Sequence, residues 1–171
     1  MGDVNEPGFT KVGEVTDDRQ RAKRVDEALD ILAGLWSGKP FTYKGQYYQI
    51  SEVTFLPKPL QTPRIPIWVG GNWPRKGPVR RAMRWDGFLP ADPMKPEDVR
   101  KLRALVQNRR TTLGQFDIAI GGRERSADWD RERATIKSLA DAGATWWLEG
   151  VEPADLDAMR ASVKRGPLRI D

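Results

Sequence analysis

Between Asp17 and Ser37, apolar residues recur at helical spacing: Val25, Ala28, Leu29, Leu32, Leu35 and Trp36, with charges on the remaining positions. The pattern predicts an amphipathic helix. Thr16 is its expected N-cap, Asp17 and Asp18 suit the positive helix start, and Gly38 ends it. Residues 1–16 have no periodicity and are expected to form an N-terminal loop. Downstream, Phe41-Thr42-Tyr43 and Tyr47-Tyr48-Gln49-Ile50 flank Lys44-Gly45-Gln46, the pattern of a small hairpin. Pro57, Pro59 and Pro63 punctuate the next stretch, so residues 39–64 are expected to form a hairpin and a Pro-rich connector.

From Ile65 a theme repeats. The run Ile65-Pro66-Ile67-Trp68-Val69 predicts a strand closed by Gly70-Gly71, and Val79, Ala82 and Met83 then mark a helical face beginning near Pro78. Gly87-Phe88-Leu89-Pro90 predicts a second strand. After it Pro96 opens a helix carrying Val99, Leu102, Leu105, Val106 and Leu113, ended by Gly114. A third strand is expected over Phe116–Ile120, closed by Gly121-Gly122. A helix comes next, capped by Ser126, with Trp129, Ile136, Leu139 and Ala140 before Gly143. Thr145-Trp146-Trp147-Leu148 reads as a fourth strand, and Pro153 opens a last helix with Leu156, Met159 and Val163.

Strands alternating with helices imply right-handed βαβ units and a parallel sheet. Four such units are half of an eightfold barrel, which ordinarily needs about 250 residues, against 171 here. The expected fold is therefore α/β: the carboxyl-terminal half of a TIM (β/α)8 barrel, four parallel βα units plus the hairpin insertion, forming one partial barrel domain over residues 1–171. Half a barrel leaves two edge strands and an uncovered inner face, so a complementary half-barrel chain or a second copy is the expected partner.

Composition narrows the chemistry. The chain has no His and no Cys, which excludes Ser-His-Asp and Cys-His machinery, the usual zinc ligand sets and disulfides. No metal site is predicted. Lys and Arg number 29 against 24 Asp and Glu, a formal net charge of +5. Arg75, Lys76, Arg80, Arg81 and Arg84, then Arg100, Lys101, Arg103, Arg109 and Arg110, fall on predicted helices. They read as the wet sides of barrel helices rather than a nucleic-acid surface, since no nucleic-acid module motif accompanies them. No signal-peptide pattern opens the chain, no run is long enough to span a membrane, and Gly2 lacks the context of a myristoylation site. A cytoplasmic protein is expected.

The order of motifs resembles one family. Thr16-Asp17-Asp18-Arg19 with Val25 to Leu32, then Leu35-Trp36-Ser37-Gly38, Pro40-Phe41 and Gly45-Gln46-Tyr47-Tyr48, resembles a helix and adjoining segment of the luciferase-like, flavin-dependent oxidoreductases. Phe55-Leu56-Pro57-Lys58-Pro59, Gln61, Pro63 and Ile65 to Gly71 give the strongest similarity. Arg81-Ala82, Arg84-Trp85-Asp86-Gly87 and Asp141 to Leu148 continue it over nearly the whole chain. The resemblance implies a βα barrel that binds reduced FMN or the deazaflavin F420. It implies a flavoprotein oxidoreductase: a monooxygenase acting on a small organic substrate with O2, or an enzyme passing hydride through F420. It also implies that the amino-terminal strands, which in the family carry much of the ring contact and acid–base chemistry, lie outside this chain. The alternative is a truncated half-barrel without its own catalysis, a fragment or assembly scaffold.

Barrel sites lie at the carboxyl ends of the strands. Gly70, Gly71, Asn72 and Trp73 come after such an end and are the candidate cofactor-binding residues, with Arg75 and Lys76 adding charge. Two glycines let a backbone approach an oxyanion, although a left-handed turn between strand and helix would account for them equally. Trp73 sits outside any periodic face, which makes it a candidate ligand contact. Gly121-Gly122-Arg123 is a second candidate phosphate loop or a solvated turn. Asp3 and Asn5 match a region of polar cofactor contacts in the family or belong to a terminus without order. Trp146 and Trp147 must face opposite sides of their strand. No residue is assigned a catalytic role.

Overall fold

The computed structural model describes residues 11–111, 114–124, 128–151 and 155–170. The chain divides into two compact units, Met1–Pro66 and Ile67–Asp171. Asp3, Asn5, Leu113, Ser126 and Pro153 lie outside the described residues.

The first unit holds α1 (Asp18–Leu35) and an antiparallel hairpin, β1 (Phe41–Lys44) with β2 (Gln49–Val53). The N-cap is Asp17 rather than Thr16: its carboxylate accepts from the Gln20 backbone N–H, which a short carboxylate on the residue before the first turn does well. Glu27 ties the helix to the hairpin. Glu27 accepts hydrogen bonds from the backbone N–H groups of Gln46, Tyr47 and Tyr48 at 2.8–3.0 Å, holding the hairpin turn. The Arg24 guanidinium lies 5.5 Å from the centre of the Tyr47 ring. Burial pushes the Glu27 carboxyl up, but the three N–H donors outweigh it and leave it below its ordinary value.

The second unit is a four-stranded sheet with its helices. Its elements are β3 (Trp68–Gly71), α2 (Lys76–Ala82), β4 (Gly87–Pro90), α3 (Pro96–Arg109), β5 (Asp117–Glu124), α4 (Trp129–Asp141), β6 (Trp146–Gly150) and α5 (Leu156–Arg165). The strand order is β3-β4-β5-β6 and every pairing is parallel, the α/β architecture expected of four consecutive βα units. Strand alternation divides the sheet into two faces. Val69, Phe88, Ile118 and Ile120 form the buried face with Val79, Ala82, Val99, Leu102, Val106, Ile136 and Leu139 of the helices. Phe88, Ile118, Leu102 and Val99 are fully buried, each stabilising the unit by about 1.5–3 kcal/mol. The opposite face carries Trp68, Gly70, Leu89, Asp117, Ala119, Trp146 and Leu148.

Several boundaries move from their expected places for identifiable reasons. The first strand of this sheet starts at Trp68 rather than Ile65. Pro66 has no N–H to give, and Ile67 N–H is taken by the Asp86 carboxylate at 2.8 Å. Consequently Gly70 and Gly71 are the last residues of β3, paired with Leu89 and Pro90, instead of a loop closing it. Helix α3 ends at Arg109 rather than Gly114. Arg110 turns extended and its guanidinium donates to the carbonyls of Gly114 and Trp85. Helix α4 is capped by the Asp128 carboxylate and α5 by that of Asp155, each accepting a backbone N–H three residues on. Strand β5 runs on to Glu124, past Gly121-Gly122.

Candidate functional site

The two ends of the sheet differ in how their polar groups are used. At the amino ends, Asp117 Oδ2 accepts from Trp68 Nε1 at 3.2 Å, and its Oδ1 accepts from Thr145 Oγ1 at 3.0 Å and Gln115 Nε2 at 2.9 Å. Thr145 Oγ1 in turn accepts the Ile118 N–H at 3.0 Å. Arg103 reaches from α3 to the carbonyls of Phe116 and Gly143, closing the turns that precede β5 and β6. Burial lowers the Arg103 guanidinium from its ordinary value, and the charge of Asp117 opposes that shift. The Trp68 and Trp146 rings meet on the open face, centroids 5.4 Å apart and tilted by 58°. Gly87 is beneath Trp68, since a Cβ there would lie 2.6 Å from the indole Cδ1. This end is knitted shut.

The carboxyl ends carry the predicted site. Gly70, Gly71, Asn72 and Trp73 are consecutive at the end of β3, and the loop after β4 lies beside them. Ala91 N–H donates to the Gly71 carbonyl at 3.0 Å, and Asn72 Nδ2 donates to Asp92 Oδ2. The two glycines serve different purposes. A Cβ on Gly71 would lie 2.4 Å from Cβ of Pro78, so this glycine is required by the packing of α2 on the helical face. A Cβ on Gly70 would meet nothing closer than the Leu89 carbonyl at 3.9 Å. Gly70 is exposed on the open face, with space before it. Neither has the positive φ of a left-handed turn, so that explanation of the pair is removed.

Asn72 and Trp73 are half-buried, while Arg75 and Lys76 are exposed at the start of α2. The Asn72 carbonyl accepts the Arg75 N–H at 3.0 Å, which shapes the loop into a turn. Gly121 has φ 129°, and a Cβ there would fall 2.0 Å from the Leu148 carbonyl oxygen. That close approach of β5 to β6 accounts for this glycine, and Arg123 continues in the strand, paired with Glu149 across an irregularity in register. Of the basic residues, Arg81 is buried, and Arg103 and Arg110 are spent on backbone carbonyls. Trp146 and Trp147 do lie on opposite faces; Trp146 is 51% exposed.

Sequence reasoning missed the roles of Asp86, Asp117, Thr145 and Arg103, the last read only as a wet helix face, and it missed Asp92. Each has partners far along the chain, 19 to 49 residues away for the most distant contacts of the first four and 20 for Asp92, so no local pattern marks them. An open groove of about 470 Å³ between the start of α3 and α4 is lined by Met94, Pro96, Arg131, Thr135 and Leu139. It contains none of the predicted site residues. Among the described residues no cluster of carboxylates suits a metal ion.

Comparison with known proteins points to one family. The sequence model of the family described as luciferase-like monooxygenase matches residues 4–164. An uncharacterized protein of Mycobacterium tuberculosis is 35% identical over 104 residues, covering 59% of this chain and 34% of that protein. An F420-dependent glucose-6-phosphate dehydrogenase of Nakamurella multipartita is 29% identical over 122 residues, 68% of this chain and 34% of that one. An FMNH(2)-dependent dimethylsulfone monooxygenase of Pseudomonas putida is 34% identical over 65 residues, 37% of this chain and 18% of the other. The chain thus matches about a third or less of the length of these relatives. Among solved structures, the monooxygenase RslO1 from Streptomyces bottropensis aligns over 94% of this chain and 54% of its own, with TM-score 0.56 and 18% identity. That likeness is one of fold, and it makes this chain about half of the larger one.

Proposed function

This chain belongs to the luciferase-like monooxygenase family, and we propose that it binds reduced FMN or coenzyme F420 at the carboxyl ends of β3 and β4 as part of a flavin-dependent oxidoreductase. Gly70 carries this reading. It is the one predicted site residue whose missing side chain leaves room on the open face rather than room for a neighbouring helix. The residues around it fit a ring cofactor with a phosphate-bearing tail: half-buried Trp73 offers apolar surface, Asn72 offers hydrogen bonds, and exposed Arg75 and Lys76 offer positive charge. The bound cofactor would supply the redox chemistry, oxygenation of a small organic molecule with O2 or hydride transfer. The chain's own part is to hold and orient the ring and to cover one side of it. A chain without His or Cys is suited to that division of labour, because the reactive atom belongs to the cofactor.

A second reading, a half-barrel without catalysis of its own that serves as one part of an assembly, draws on a separate observation. Strands β3 and β6 are both sheet edges, and the open face between them exposes Trp146. Helix α5 contains no buried residue, with Leu156 60% and Val163 71% exposed. Apolar side chains left in water on a helix and on the adjoining strand suit a covering polypeptide, either a complementary half-barrel or a second copy. Both readings meet in one experiment. The purified chain is titrated with FMN and with F420 under reducing conditions, following fluorescence, while light scattering reports mass. Binding of either cofactor supports the first reading; a monomer that leaves both unbound overturns it. An assembled species that binds neither supports the second.

A further inference from the structure

Resting on the proposed cofactor site, we infer that Asp92 is a positioning residue. It locks the Asn72 carboxamide so that its oxygen, at the carboxyl end of β3, accepts a hydrogen bond from an N–H or O–H of the bound ligand. A carboxylate can only accept, so the side of Asn72 that faces Asp92 Oδ2 must be its NH2 group. The opposite side, Oδ1, is thereby turned away from Asp92, and the amide cannot flip without setting two acceptors against each other. Oδ1 and the second N–H have no partner among the described residues, although Asn72 is half-buried. The loops bearing the pair are already tied, with Ala91 N–H on the Gly71 carbonyl at 3.0 Å and Arg75 N–H on the Asn72 carbonyl at 3.0 Å. The orientation of the carboxamide is therefore set before any ligand arrives.

The chemistry selects the ligand group. A negative charge on Asp92 and an unused amide oxygen on Asn72 repel an anion, so this part of the rim rejects a phosphate, which would be left to Arg75 and Lys76. It accepts an imide-type N–H of a ring or a hydroxyl of a polyol tail. Both sources share a donor, and modified flavins separate them.

The test uses reduced riboflavin, which has ring and tail but no phosphate, with 3-methylriboflavin lacking the imide N3–H and lumiflavin lacking the polyol. Riboflavin binding should weaken about tenfold in Asn72→Leu and in Asp92→Ala, and no further in the double variant, because both remove one hydrogen bond. Asp92→Asn keeps an acceptor for Asn72 and should restore most of the affinity. Loss of the Asn72 effect with 3-methylriboflavin assigns the donor to the ring; loss with lumiflavin assigns it to the tail. In nitrogen-15 relaxation measurements without ligand, the Asn72 side-chain NH2 should be about as ordered as the backbone in the wild type and markedly more mobile in Asp92→Ala. Riboflavin binding that is indifferent to Asn72→Leu overturns the inference while leaving the cofactor reading intact. An Asn72 side chain that is equally mobile in the wild type and in Asp92→Ala also overturns it. A wild type that binds neither FMN nor F420, yet has an ordered Asn72 side chain, overturns the cofactor reading and reduces the pair to a link between loops.

Discussion

The amino and carboxyl ends of one sheet are built to opposite specifications. At the amino end Asp117 accepts three side-chain hydrogen bonds and Thr145 and Arg103 close the neighbouring turns. At the carboxyl end Gly70 has open space before it and Asn72 spends a single N–H on Asp92. A polar group that already has its full set of partners has nothing left to offer a ligand, whereas an unspent one does. The first end holds the strands together, and the second leaves hydrogen-bonding capacity unspent. This is the division expected where loops at strand carboxyl ends bind and the opposite rim stabilises.

The sharpest way to break the contrast is at Asp117. Replacing it by Ala removes the acceptor for Trp68, Gln115 and Thr145 together and should cost about 2–4 kcal/mol in urea unfolding, with cofactor affinity of the folded fraction unchanged. A stability loss below about 0.5 kcal/mol would show that the amino end is not a fastening. The two glycines of β3 sharpen it further. Gly71→Ala drives a methyl into Pro78 and should destabilise by about 1–3 kcal/mol, as overpacking does. Gly70→Ala meets nothing closer than 3.9 Å and should leave stability within about 0.5 kcal/mol, yet weaken cofactor binding; equal stability losses at both positions would erase the distinction.

The smallest effect lies in the first unit and concerns pH. The Glu27 carboxyl is held below its ordinary value, so it binds protons less readily folded than unfolded. Its stabilising contribution is complete above the ordinary carboxylate range and is lost as pH falls through the lowered folded value. Glu27→Gln should flatten that acid limb of a pH-dependent thermal melt. An acid limb identical to the wild type would mean that the three N–H contacts to Glu27 do not count in solution.

Legibility followed the range of the interactions. The helix around Val25 to Leu35, the alternation of strands and helices from Trp68 onward, and the opposite facing of Trp146 and Trp147 come from spacing alone and match the structure. Element ends were less legible, because they depend on partners elsewhere. Asp86 takes the Ile67 N–H across 19 residues and postpones β3, and the Arg110 guanidinium leaves the helix for the carbonyls of Gly114 and Trp85. The candidate rim is visible in the sequence only as a stretch: Gly70 and Gly71 look identical there, and the position of Pro78 is what tells them apart.

The α/β class, the count of four βα units and the absence of nucleophilic His or Cys chemistry were determined by the sequence itself, since periodicity and composition are properties of neighbouring residues. Which glycine faces a helix and which faces open space, which carboxylate fastens strands and which orients an amide, were decided only by the tertiary structure. The carboxylate roles depend on hydrogen bonds between groups 20 to 49 positions apart and the glycine roles on where Pro78 stands, and no local pattern records what will stand on the other side of a contact.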